Sequence, residues 1–261
     1  PSMKNIAKKD LLKLPILIPP FTEQLKIVKA LKAWDTAIEK TEALITAKKK
    51  RFEWLSGQLL DNDFKSYPTK LNDYASIPKQ EKILTAQDVK LLTVQLHCKG
   101  ITANERDVKI TLSKKGRPYF KRQAGEFLIG RQNFHNGGFG IVPQRLDGFI
   151  ASNAITTLDI DTAKLNPEYL FFFFARKDYY LRIGHIMDGT GQKELSDKQI
   201  MKLPISVPDL NEQKRITNIL KTAQQEINLL EQQAEHYRTQ KRGLMQKLLT
   251  GEWRIGEKEV A

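Results

Sequence analysis

Cysteine is almost missing from this sequence: Cys98 is the only one in 261 residues. A lone thiol excludes an internal disulfide framework and a Cys-rich zinc site, and it suits a reducing cytoplasm. His97 beside it makes only a dipeptide, which reads as structural. Long apolar runs are missing too. None approaches the roughly 20 residues that a membrane helix needs, and the opening PSMKNIAKKD has no apolar core of a signal peptide. Acidic residues are scarce, 30 against 43 Lys and Arg, which leaves a net charge of +13. That balance favours a polyanionic partner, nucleic acid before any other. With 40% hydrophobic residues the chain is expected to be globular, and its length allows one large domain or two modest ones.

The positive charge is unevenly placed. Between Lys99 and Arg131 stand nine basic residues against three acids, and the stretch SKKGRPYFKR at 113–122 holds five of the nine. A second cluster, Lys48 to Arg51, lies in the first third of the chain. Clusters of this kind are most often solvated faces, so charge alone does not make either one a binding site.

A repeat organises the rest. LPILIPPFTEQLKI at 14–27 returns as LPISVPDLNEQKRI at 203–216. Lys13, Leu14, Pro15, Ile16, Pro19, Glu23, Gln24 and Ile27 correspond without a gap to Lys202, Leu203, Pro204, Ile205, Pro208, Glu212, Gln213 and Ile216. The same offset of 189 residues persists as far as Leu59-Leu60 against Leu248-Leu249. Each copy opens with Pro-rich extended chain. A long helix follows, with Thr22 and Asn211 expected as N-caps and Glu23 and Glu212 as helix-start residues favoured by the dipole.

Both helices carry a seam of period 3.5. In the first it runs through Ile27, Leu31, Trp34, Ile38, Thr41, Ile45, Lys48, Phe52, Leu55 and Leu59. In the second it runs through Ile216, Leu220, Ala223, Ile227, Leu230, Ala234, Tyr237, Lys241, Leu244 and Leu248. The Lys and Thr members make the seam imperfect, so each helix needs a specific partner. A chain leaving through one helix of about 38 residues, roughly 57 Å, and returning through the other forms an antiparallel coiled coil.

Between the copies the texture changes to β-type runs, VKLLTVQLH, EFLIG, FGIVP and AITTLDI, separated by Gly-, Asn- and Asp-rich turns. One helix is expected over NPEYLFFFFARKDYYLRIGH, capped by Asn166 with Pro167 in its first turn and Phe171 to Phe174 largely buried. The fold class is therefore α+β: one globular α+β domain flanked by two long helices.

No catalytic arrangement emerges. NPEY at 166–169 has a near match in an amino-methyltransferase motif, yet a capped helix start explains it. PDLNEQK at 208–214 contains the letters of a nuclease signature, but Asp209, Glu212 and Lys214 crowd one helix start, and Pro20 replaces Asp209 in the first copy. NGGFG lacks the spacing and the Lys-Ser/Thr of a phosphate loop.

The frame LPxxxPxxxEQxxI followed by a coiled-coil helix, on both sides of a variable domain, resembles the specificity subunit of type I restriction-modification systems. LLTVQLHCKGITANER, GEFLIGRQNFHNGGFGIVPQRLDGFIASNAI and YLFFFFARKDYYLRIGHIMDGTGQKELS resemble one class of its target recognition domain. The resemblance implies a non-enzymatic, prokaryotic, cytoplasmic chain whose recognition domain reads one half of a bipartite site in double-stranded DNA. It implies that the helices dock methyltransferase subunits and, through them, a restriction subunit. This chain would bind no cofactor; S-adenosylmethionine, Mg and ATP would belong to its partners.

On this reading residues 1–21 are the tail of a recognition-domain-like segment with an extended entry, 22–62 the first helix and 63–200 the recognition domain. Residues 201–211 are a second extended entry, and 212–261 the second helix with its tail. MKNIAKKDLLKLP aligns with QKELSDKQIMKLP, so the chain is expected to be a half-subunit starting at Met3 or a fragment of a longer protein. A half-subunit could recover the missing half as a homodimer reading a palindromic interrupted site.

Base reading needs Arg, Lys, Asn or Gln at base edges, with phosphate contacts setting register. The loop GRQNFHNGG offers Arg131, Gln132, Asn133, His135 and Asn136. The basic stretch offers Lys114, Lys115, Arg117, Lys121 and Arg122 for phosphate, with Tyr119 for sugar or base. GTGQK adds Gln192 and Lys193. The rival expectations are a coiled-coil assembly protein whose middle domain binds protein, and a nuclease or methyltransferase domain that would bind metal or S-adenosylmethionine.

Overall fold

The structure, a computed structural model, describes residues 8–13, 16, 18–60, 69–85, 89–106, 110, 112–113, 115–183 and 194–255. The elements in chain order begin with α1 (Lys8–Leu11), α2 (Phe21–Leu60), β1 (Thr69–Lys70), β2 (Ala75–Ser76), β3 (Leu92–Val94), β4 (Ile101–Ala103) and β5 (Tyr119–Lys121). They continue with β6 (Phe127–Gly130), β7 (Phe139–Ile141), β8 (Ile150–Ser152), β9 (Ile155–Ile160), α3 (Pro167–Phe174), α4 (Lys177–Ile183), α5 (Asp197–Met201), β10 (Pro204–Ile205) and α6 (Leu210–Leu249). The chain divides into two compact units, 1–51 with 223–261, and 52–222.

The first unit is a pair of antiparallel helical segments. Each of α2 and α6 has 40 residues, about 60 Å of helix. Partner residues run in opposite order along the two, Glu23 with Arg254 (3.1 Å), Asp35 with Lys241, Glu42 with Arg238 and Lys49 with Glu231 (2.6 Å), while Lys48 reaches further along to Glu226 (2.5 Å). The seam positions Ile27, Ile227, Ala234 and Leu248 are buried, and Leu31, Trp34, Ile38, Ile45, Leu230, Tyr237 and Leu244 are half-buried. Trp34 meets Tyr237 edge-on at 5.7 Å. The polar seam members have partners as well. Thr41 Oγ1 donates to its own helix at Ala37 O (2.8 Å), while Lys48 and Lys241 reach carboxylates of the facing helix.

The second unit takes in the helix ends 52–60 and 210–222 along with the sheets. Phe52, Leu55, Ile216 and Leu220, expected in the coiled-coil seam, pack instead with this unit's core, Ile216 and Leu220 fully buried. The 3.5-residue period simply continues onto a different apolar surface, which a one-dimensional pattern cannot distinguish. Strands β2-β9-β6-β7 form one sheet, and β1-β10, β3-β4 and β5-β8 form two-stranded ladders, all antiparallel. The core is rich in aromatic rings: Phe134, Phe139, Phe174 and Tyr179 lie within 5.2–6.4 Å of one another's centroids where they pair. Burial of each ring contributes roughly 1.5–3 kcal/mol.

Three local expectations are corrected. The helix expected over 166–185 is two helices, broken at Ala175-Arg176, where Arg176 Nη1 donates to Leu60 O (2.8 Å) and its guanidinium lies 4.5 Å from the Phe173 ring centre. Its start is as expected: Asn166 Oδ1 accepts from Glu168 N (2.8 Å) and Tyr169 N (3.4 Å), with Pro167 first in the helix. Asn211 does not cap α6. Asp209 does, its Oδ1 accepting from Asn211 N (2.9 Å) and Glu212 N (3.1 Å). Thr22 likewise lies inside α2, whose first helical bond runs from Gln24 N to Pro20 O (3.0 Å). The carboxyl of Glu212 is held below the ordinary carboxylate range by its hydrogen bond to Arg215.

Candidate nucleic-acid interface

The loop 131–138 joins β6 to β7, and one buried ring fixes it. Phe134 has no exposed surface and sits against Phe139, Phe174 and Tyr179. Residues on both sides of this pin are thereby held at the domain surface. Asn133 is exposed; Arg131, Gln132, His135 and Asn136 are half-buried. Gly137, at φ 71°, and Gly138 close the loop. A Cβ at Gly138 would stand 2.7 Å from Asn133 O, so the tight turn demands glycine there.

Backbone hydrogen bonds bring other segments to the same edge. Asn153 N donates to Pro118 O (3.0 Å), Arg131 N to Ala154 O (3.1 Å) and Leu195 N to Arg131 O (3.1 Å). Arg117 Nε lies 3.4 Å from Asn153 Oδ1. The tip of the β3–β4 hairpin adjoins the loop through His97 N and Asn136 O (2.7 Å). Segment 153–154 thus joins the chain around Arg117 to Arg131 at the head of loop 131–136, while Phe120 lines the cleft beside Arg131 and Tyr119, its neighbour in β5, alternates to the other face. Lys115 and Arg117 are exposed, Tyr119 half-buried, and Lys121 is exposed at the far end of β5. Lys114, Gln192 and Lys193 lie outside the described residues.

Several of these side chains already have partners. Arg131 Nη2 contacts Glu194 Oε1 (2.7 Å), and its Nη1 is 3.6 Å from Asp197 Oδ1. Gln132 Nε2 is 3.5 Å from Glu194 Oε2, and His135 Nε2 hydrogen-bonds Asn136 Nδ2 at 3.1 Å. A cleft of about 220 Å³ opens beside Arg131, lined by Gln80, Phe120, Asn153, Thr156 and Asp197 among others. Glu194, Asp197 and Asn153 had no signal in the sequence, because acids and turn residues of this kind occur throughout it.

Arg122 is the correction among the expected phosphate ligands. Its side chain is wholly buried. The guanidinium donates to Gln80 Oε1 (2.6 Å), to Thr157 Oγ1 and to Ile155 O (2.8 Å), with Phe120 at 5.6 Å. Burial lowers its pKa to about 10, and its neighbour Glu126 is pushed above the ordinary carboxylate range by the same cause. It ties the 77–80 segment to β9 and forms part of the interior. A β-strand turns alternate residues to opposite faces, so within FKR Lys121 is exposed and Arg122, just after the strand, points inward.

No group of three or more His, Cys, Asp or Glu among the described residues is placed to hold a metal, and no described helix is long and apolar enough to cross a membrane. The sheet unit presents a basic, amide-rich edge, with Lys115, Arg117 and Asn133 exposed. The model of the type I restriction modification DNA specificity domain matches residues 70–236, more than half of the chain, and the protein belongs to that family. The family is non-catalytic.

Among its relatives, a type I restriction enzyme specificity subunit of Haemophilus influenzae is 24% identical over 227 residues, 83% of this chain. The MjaVIII specificity subunit of Methanocaldococcus jannaschii is 21% identical over 96% of this chain. The chain spans 57% and 65% of these relatives' lengths. The same fold is seen in the type I restriction-modification S subunit of M. genitalium, with a TM-score of 0.58 and 14% identity over 94% of this chain and 66% of that one. It is seen again in the HsdS subunit of Thermoanaerobacter tengcongensis, with a TM-score of 0.54 and 15% identity over 95% of this chain and 63% of that one.

Proposed function

We propose that the globular unit reads one half of a bipartite site in double-stranded DNA through the edge built from loop 131–136 and residues 115–119. The observation that carries this reading is that segment 153–154 joins Arg117 to Arg131 at the head of the amide-rich loop pinned by Phe134. Lys115 and Arg117 serve phosphate, while Asn133 and Arg131 serve base edges, Arg131 by exchanging a carboxylate for a base. The paired helices dock methyltransferase subunits, which bring S-adenosylmethionine, and through them a restriction subunit with its Mg and ATP.

A second recognition domain completes the site, carried by a second copy of the chain or by a further part of a longer protein. The two repeat copies support this. Ile205 is 2% exposed and Val207 packs on the core of its unit, while their counterparts Ile16 and Ile18 are 79% and 78% exposed. The first copy therefore offers an apolar seat of the kind the second copy uses.

Purified chain titrated with mixed-sequence duplex is expected to bind at low salt, with log affinity falling linearly with log salt. Lys115→Ala with Arg117→Ala should weaken binding to all sequences and flatten that slope by about two phosphates' worth. Asn133→Ala should relax sequence choice, costing roughly 1–3 kcal/mol at one position. No binding at low ionic strength overturns the reading. Methylation mapping in a host that carries the chain with its methyltransferase would give the motif and its symmetry.

A further inference from the structure

Among the described residues only two that are not glycine have positive φ, and they are adjacent: His97 at 59° and Cys98 at 56°. They occupy the centre of the turn between β3 and β4. Gln95 N donates to Gly100 O (2.9 Å), and Lys99 N lies 3.4 Å from Leu96 O across the turn. Positive φ at both central residues is the hairpin geometry that Asn-Gly adopts with little strain. Here a histidine and a cysteine are forced into it. Strain of this kind persists only where surrounding structure imposes it, and it concentrates at functional sites.

The surrounding structure is visible. His97 N donates to Asn136 O (2.7 Å) and Cys98 N to Gly137 O (2.9 Å), so the tip is clamped onto the loop proposed to read DNA. A Cβ at Gly137 would lie 2.8 Å from both the backbone N and the Sγ of Cys98, which makes the close approach depend on that glycine. Packing accounts for Cys98. Its side chain packs against the core cluster, and burial pushes its thiol up to about 12. Packing does not account for His97, which is exposed on the strained backbone between an exposed Leu96 and an exposed Lys99.

We propose that this hairpin tip is a second DNA-reading element, His97 serving a base edge and Lys99 a phosphate. The imidazole can donate from one nitrogen and accept at the other, so it suits a base edge; an ammonium suits phosphate as a point charge. The inference rests on the DNA-binding reading above and adds to it a segment that neither composition nor the amide-rich loop revealed. If the tip were a plain turn, replacement of His97 by a residue that tolerates left-handed backbone would leave DNA binding untouched.

The test is selection of bound sequences from a randomised duplex pool by the parent chain and by His97→Gly, His97→Asn and Lys99→Ala, with thermal melts of each. Glycine accepts the native backbone, so H97G should melt at or above the parent temperature. It should nonetheless lose at least threefold discrimination at one or two adjacent positions of the selected motif. H97N, which tolerates the same backbone and keeps a hydrogen-bonding group, should recover part of that loss. K99A should weaken binding to every sequence several-fold with the motif unchanged. Parental motif and affinity in both H97G and K99A would overturn the proposal while leaving the DNA-binding reading intact. Failure of the parent itself to bind duplex would remove both.

Discussion

Arg122 supplies three hydrogen bonds to neutral acceptors in the interior. Arg122→Ala should therefore cost about 3 kcal/mol of stability or more, because three acceptors lose their donor at roughly 1–3 kcal/mol each. Denaturant melts would show the loss directly. A purely electrostatic role would instead leave the midpoint fixed and change the salt dependence of DNA binding. Phe134 acts in the same way one loop away: it is invisible as a binding residue yet holds those that are exposed. Both depend on tertiary burial, which no spacing in the sequence encodes. Asn133, His135 and Asn136 stand out in the sequence as candidates because amides and imidazoles are crowded between two strand patterns. Their support does not, since Phe174 and Tyr179, which pack on Phe134, and His97, whose N–H donates to Asn136 O, are brought in from elsewhere in the chain.

At the level of elements, the repeated Pro-to-Gln spacing has a mechanical explanation. Gln24 Nε2 donates to Pro19 O (2.8 Å), and Gln213 Nε2 donates to Pro208 O at the same distance, so each glutamine locks the extended entry onto its helix. Gln213 does more. Fully buried, it also donates to Lys164 O (2.9 Å) and accepts from Asn166 N (2.7 Å), joining the start of α6 to the start of α3. Gln213→Ala should cost about 1–3 kcal/mol, whereas Gln24→Ala, half-exposed with one such bond, should cost under about 1. Equal effects in paired thermal melts would contradict this division. The helices and the four main strand runs were legible because apolar periodicity is a local property. The three-residue β5, hidden in a basic stretch, was not, and neither was the Arg176 break in the aromatic helix, which answers to a carbonyl over a hundred residues away. The cap of α6 was missed because Asp209 stands where the first copy has Pro20, while Asn211 two residues on is an equally good capping type.

For the molecule as a whole, the net charge of +13 and the exposed apolar residues of the first repeat lead to separate expectations. Charge governs association with DNA and its salt dependence. Apolar exposure governs self-association. Ile16→Asp with Ile18→Asp should shift a dimer to monomer by sedimentation or light scattering without lowering the melting temperature, because both side chains are exposed. An unchanged mass would place the second recognition domain elsewhere than on this seat.

The edge contact between Trp34 and Tyr237 has a practical consequence. Trp54 and Trp253 are more than half exposed, so Trp34 is the half-shielded indole of the three. With the other two changed to Phe, its emission becomes an intrinsic optical gauge of helix pairing. Unzipping, strand exchange between copies, or clamping by an incoming methyltransferase could then be followed by colour alone, with no label attached.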